Sequence, residues 1–125
     1  MNVNIGVKHH EFLNASTEVS TSVEMVVSSN YGLINIEVSG TSTSFSIVFE
    51  GKGIGEEWYQ IPVVNIQTMG VASTIQTKSI YQLNLTGLTK IRTNLTNIEN
   101  GNITTKGRVV NFGIMNGVSS SGYGN

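Results

Sequence analysis

Apolar and polar residues alternate along most of this chain, in runs too short for anything but β-strands. Leu33 to Ser39 (LINIEVS) sets Ile34, Ile36 and Val38 on one face and Asn35, Glu37 and Ser39 on the other. Ser44 to Glu50 (SFSIVFE) turns Phe45, Ile47 and Phe49 one way, and Ile80 to Leu85 (IYQLNL) does the same with Tyr81, Leu83 and Leu85. A two-residue period of this kind is the mark of a half-buried strand. Helix signals are nearly absent. Alanine occurs only at Ala15 and Ala72, and no long window repeats apolar residues at i, i+3, i+4 and i+7.

Further runs extend the pattern. Glu18 to Ser28 reads as one strand, Trp58 to Ile61 and Val63 to Ile66 as two short ones broken at Pro62, and Ser73 to Thr77 as a weak one. Proline cannot donate to a ladder, so Pro62 marks an edge or a bend. Lys90 to Ile98 is a longer polar strand anchored by Ile91 and Leu95, and Asn102 to Val110 follows it, with Gly107 placed for a bulge. The SGTST stretch predicts a hairpin between the strands at 33 and 44. Asn100-Gly101 predicts another, because both residues tolerate the positive φ of a type I′ turn. Strands at this spacing predict an all-β fold: a single antiparallel β-sandwich, jelly-roll-like, of about eight strands. Three segments are expected: a polar N-terminal arm over 1–17, the β-sandwich domain over 18–110, and a flexible Gly/Ser-rich C-terminal tail over 111–125, too poor in apolar residues to offset its own ordering.

Charged residues make up 12% of the chain, about half the usual ~25%. Ser, Thr, Asn and Gly fill the gap, which suits adhesive or virion surfaces. A net charge of −1 without a basic stripe argues against nucleic acid. No apolar run approaches the ~20 residues of a membrane helix, so no membrane partner is expected. The N-terminus lacks the basic-then-apolar pattern of a signal peptide, so synthesis and assembly in a host cytoplasm are expected.

Chemistry-bearing motifs are sparse. There is no Cys and no Asp, which removes thiolate chemistry and the commonest carboxylate of triads and calcium loops. His9, His10 and Glu11 are adjacent, so a strand would point them to opposite faces and they make a poor chelate. Glu50, Glu56 and Glu57 could pair as glycosidase carboxylates, but a Gly-rich turn favours solvated charges. GKGIG at 51–55 lacks the following helix of a phosphate loop. No catalytic, cofactor or metal residue is assigned, and no enzyme activity is expected. Trp58 and Tyr59 fall on opposite faces of a strand. The larger ring is expected in the core, with a sugar-stacking platform of Trp58 or Tyr59 as the functional alternative.

The order of features carries a resemblance. INIEVSGT, a return through SFSIVFEG, a Gly-rich turn into WYQIP, then SIYQLNLTGLTKIRTNL and NITTKGRVV together look like the small β-sandwich structural proteins of tailed phages and prophages of Gram-positive bacteria, over residues 33 to 110. The departure is GKGIGEEW, where those chains usually carry an Asp-Gly turn. The resemblance implies a non-enzymatic virion component located on the particle: a capsid decoration protein bound to the phage major capsid protein or another virion protein, with self-association as a further contact. The alternative it leaves is a carbohydrate-binding or tail/baseplate accessory module that adheres to surface glycans. In the decoration reading the two ends act as clamps, with Val3, Ile5, Val7 and Phe12 on one and Phe112, Ile114 and Met115 on the other as contact residues.

Overall fold

The computed structural model describes residues 8–111. They form eleven strands: β1 (Lys8–Ser16), β2 (Ser20–Thr21), β3 (Met25–Val26), β4 (Tyr31–Gly40), β5 (Ser44–Lys52), β6 (Tyr59–Gln60), β7 (Val63–Asn65), β8 (Gly70–Ala72), β9 (Ile80–Asn84), β10 (Lys90–Glu99) and β11 (Ile103–Asn111). Two antiparallel sheets result. The larger runs β1-β11-β4-β9-β7-β8. The smaller runs β2-β10-β5-β6, with β3 also paired to β10. The all-β sandwich expected from the alternation is the fold observed. The additional strands come mostly from two- and three-residue pieces, too short to show a period.

The core lies between the sheets and takes the inward positions that the alternation assigns. Ile34, Ile36 and Val38 of β4, Phe45, Ile47 and Phe49 of β5, Tyr81 and Leu83 of β9, and Ile91 and Leu95 of β10 are all buried. Burying each such side chain contributes roughly 1.5–3 kcal/mol. The buried hydroxyls within the core are paired. Thr105 Oγ1 accepts from Leu13 N at 3.2 Å and contacts Thr93 Oγ1 at 3.4 Å, while Ser22 Oγ accepts from Thr93 N at 2.9 Å. This short hydroxyl chain ties the edge segments of both sheets to the central strands β10 and β11, at a point where an unpaired amide would cost about 1–3 kcal/mol.

The sandwich begins earlier than the sequence suggests. From Lys8 the expected arm is an edge strand, β1, paired antiparallel with β11. Phe12, read as a clamp contact, is 5% exposed and belongs to the core, as does Leu13. Both are buried together because the register shifts between Glu11 and Leu13 and again before Ser16, which hides them from a strict two-residue period. Val3, Ile5, Val7, Phe112, Ile114 and Met115 lie outside the described residues, as does the Gly/Ser-rich segment from 112 onward.

Neither expected hairpin is a hairpin. β4 lies in the larger sheet and β5 in the smaller. β10 and β11 are divided in the same way. The turns at 41–43 and 100–102 are therefore corners that carry the chain across the core. Asn100 (φ 55°) and Gly101 (φ 81°) do adopt the positive φ that their sequence promises. The two corners lie side by side. Thr41 N and Ser42 N both donate to Asn102 O, at 3.0 and 3.1 Å. Asn102 N donates back to Thr41 Oγ1 at 3.0 Å, and the buried Ser42 hydroxyl donates to Glu99 O at 3.0 Å. Pro62 makes a third crossing, from β6 in the smaller sheet to β7 in the larger.

Candidate functional site

Most side chains singled out in the sequence fall on two surfaces, the outer faces of the two sheets. On the smaller sheet, inward Phe49, Gly51, Ile91 and Thr93 alternate with outward Glu50, Lys52, Arg92 and Asn94. Register sets Arg92 opposite Glu50 and Glu50 opposite Gln60. Arg92 Nε donates to Glu50 Oε1 at 2.7 Å, a charge-assisted bond between two largely covered side chains. Asn94 Nδ2 stands 3.5 Å from Glu50 Oε2.

Trp58 completes this row. It is half-buried and lies outside the core, which corrects the expectation that the larger ring packs inward. Its ring covers two cations that rise from the outer face: the Arg92 guanidinium carbon is 4.0 Å from the ring centroid and Lys52 Nζ is 5.2 Å away. Such contacts contribute roughly 0.5–2 kcal/mol. The physical reason is local. β6 is two residues long and ends at the Pro62 crossing, so Trp58 sits before the strand and folds over the sheet rather than into it. Tyr59 is 60% exposed and points to the opposite side, as strand alternation requires. The structure therefore separates the two rings. Of the three acidic residues near the turn, Glu56 and Glu57 are exposed, but Glu50 is tied to Arg92 and is not a solvated turn charge. Among the described residues nothing lies within 4 Å of where a side chain would go at Gly53 and Gly55, as befits a surface turn. The roles of Arg92 and Lys52 could not be read from sequence, because Arg92 lies far along the chain and only strand register brings it under Trp58.

On the larger sheet, a broad open depression of about 770 Å³ runs past His9, Glu11, Asn35, Glu37, Ile80 and Arg108. His9 stands opposite Arg108 and Glu11 opposite Lys106, with Lys106 Nζ 3.7 Å from Glu11 Oε2. His10 turns inward instead, edge-on to Phe12 at 4.5 Å between centroids. The two histidines cannot share an ion, and no group of three or more His, Cys, Asp or Glu side chains suited to a metal occurs among the described residues.

His10 gives a pH test of the β1 edge. Its Nε2 is buried without a hydrogen-bond partner among the described residues. Desolvation, and then the charge of Lys8, hold its pKa below the usual 6.5. A histidine lowered in the native state binds fewer protons there than when unfolded. Its contribution is complete above about 6.5 and is lost as pH falls through that value toward the native pKa. Urea melts at pH 7.5 and pH 5 are expected to show this loss, and His10→Phe to reduce it. An unchanged slope in the variant would assign the effect to other groups.

Comparison with known proteins places this geometry among relatives. A family model described as XepA matches residues 7–109. The crystal structure of the SPBc2 prophage-derived protein YomS is 24% identical, with a TM-score of 0.77 over 83% of this chain and 92% of that one. The crystal structure of the PBSX exported protein XepA is 21% identical, with a TM-score of 0.80 over 83% of this chain but 37% of that one. The chain thus spans little more than a third of that second protein. No curated protein matches it. At these identities the two structures bear on the fold.

Proposed function

The chain belongs to the XepA family, and from that premise we propose that it is a non-enzymatic structural protein of a phage or prophage particle, bound to the assembled capsid as a decoration protein. The observation that carries the reading is the extent of the match. The family model runs along the whole sandwich, from the edge strand β1 into the last strand, β11, and one such sandwich is nearly all of the prophage-derived YomS. A sandwich with a closed core and polar outer faces is suited to docking. A shell offers many equivalent sites, so modest affinity at each gives high occupancy. The partners in this reading are the major capsid protein or another virion protein, with neighbouring copies of the chain, and assembly takes place in the host cytoplasm.

The test is particle purification after induction of a lysogen, followed by cryo-electron microscopy and quantitative mass spectrometry. Decoration requires sandwich-sized density on the shell, in a fixed ratio to the major capsid protein. Density on the tail would move the protein to the tail/baseplate alternative. Recovery of the chain only as free protein in the lysate would rule out both, and would favour an exported role, as the name of the PBSX exported protein XepA has it.

A further inference from the structure

We propose that the β8 edge takes a seventh strand, supplied by the segment Phe112 to Met115 of a second copy of this chain. β8 ends the larger sheet, and apart from its shortness it lacks the usual protections of an edge. β1 carries Lys8 and Glu11 and shifts register twice. β2 and β3 are two residues each and flank Glu24, and β6 is two residues followed by Pro62. β8 instead lies within residues 58–77, which hold no charged side chain. Its backbone is turned outward. Ile66 N donates to Ile80 O at 3.0 Å, so positions 64 and 66 face β9, and Val63 and Asn65 face β8. Their partners Ala72 and Gly70 therefore face β7, which directs the N–H and C=O of Val71 away from the sheet. Val63, opposite Ala72, is buried, so the small residues Gly70 and Ala72 take the inward side. A hollow of about 260 Å³ lies against them, lined also by Val71, Thr74, Gln76 and Tyr81. An added strand fills this hollow if it carries large apolar side chains two residues apart. Phe112 and Ile114 have that spacing, with Gly113 between them, and no charged side chain occurs after Arg108. Reach makes the donor a second copy. Asn111 ends β11, four strand places from β8, or about 19 Å at ~4.8 Å per strand. Ile114 is three residues further on and extends at most ~11 Å. Each copy gives a segment and receives one, so the contact runs head to tail. It needs no particle, and its failure would leave the decoration reading standing.

The full chain is followed by sedimentation velocity from about 1 to 500 μM, a range that captures weak single contacts. Species heavier than one chain are expected to grow with concentration. Val71→Pro removes the N–H that faces away from the sheet and none that faces β7. Val71→Lys charges the same edge without altering the backbone, and Ile114→Lys charges the segment. Each is expected to weaken association at least ~10-fold. Ile54→Lys, at a fully exposed turn position, should stay within about 2-fold of the parent. Val71→Lys and Ile114→Lys each keep one half of the contact, so their equimolar mixture should form a heterodimer and nothing larger. A chain that stays monomeric throughout overturns the proposal, as does a mixture that forms no heterodimer. Loss with the Val71 variants but not with Ile114→Lys gives the edge another occupant and overturns it too. Urea melts of each variant separate a lost contact from a lost fold.

Discussion

Gly40→Ala is expected to destabilise the fold by at least about 3 kcal/mol, the range reserved for backbone strain and hard overlap. Gly40 has φ 128°, which an L-residue rarely adopts. A Cβ there would stand 2.2 Å from Asn102 O and 2.9 Å from Asn102 C. That carbonyl cannot retreat cheaply, because it accepts the amides of Thr41 and Ser42 and so joins the two corners. Gly101→Ala meets the same corner from the other side, 2.6 Å from Thr41 Oγ1 and 2.7 Å from Ser42 N, at φ 81°. Gly53→Ala is the control. Among the described residues nothing lies within 4 Å of its Cβ position, so the change should fall within about 0.5 kcal/mol. Urea denaturation of the three variants checks the set. A loss under 1 kcal/mol for Gly40→Ala would mean that the corners are not locked together.

The corners also show what alternation can and cannot reveal. LINIEVS and SFSIVFE declare which side chains face the core, and each is placed correctly. Alternation does not declare which sheet receives the next strand, because a corner and a hairpin both join two alternating runs through a short polar turn. Asn100-Gly101 has the dihedral angles of a hairpin turn but does a corner's work, since β5 and β4 have already claimed the edges of β10 and β11. The N-terminal strand was hidden for another reason. Its register shifts put Phe12 and Leu13 inside together, a pattern that reads as scattered apolar residues in a polar arm. Glu18 to Ser28 reads as one strand, but only two pairs of residues in it join β10. The candidate site was half legible. Trp58 and its separation from Tyr59 follow from local sequence. Its support by Arg92 depends on pairing between β5 and β10, which no local spacing encodes.

Phe49→Ala is expected to cost about 3–5 kcal/mol, the usual toll for a large aromatic removed from a closed core. Phe49 is 1% exposed, and its ring meets Tyr81 from the opposite sheet at 6.4 Å between centroids. The lost contact therefore spans the interface that holds the sandwich together. Tyr81 cannot collapse into the space. Its hydroxyl donates to Thr77 O at 2.8 Å, and this anchors the ring at its far end. The paired measurement is Trp58→Ala, which removes a larger side chain. Size alone would rank it as the more damaging change. Its position ranks it lower: Trp58 covers charged side chains on an outer face, so the expected loss is the ~0.5–2 kcal/mol of its cation contacts. Both values come from urea melts monitored by far-ultraviolet circular dichroism, which does not depend on the tryptophan. If Trp58→Ala proved as costly as Phe49→Ala, the ring would be a core element rather than a cover over charged side chains on the outer face.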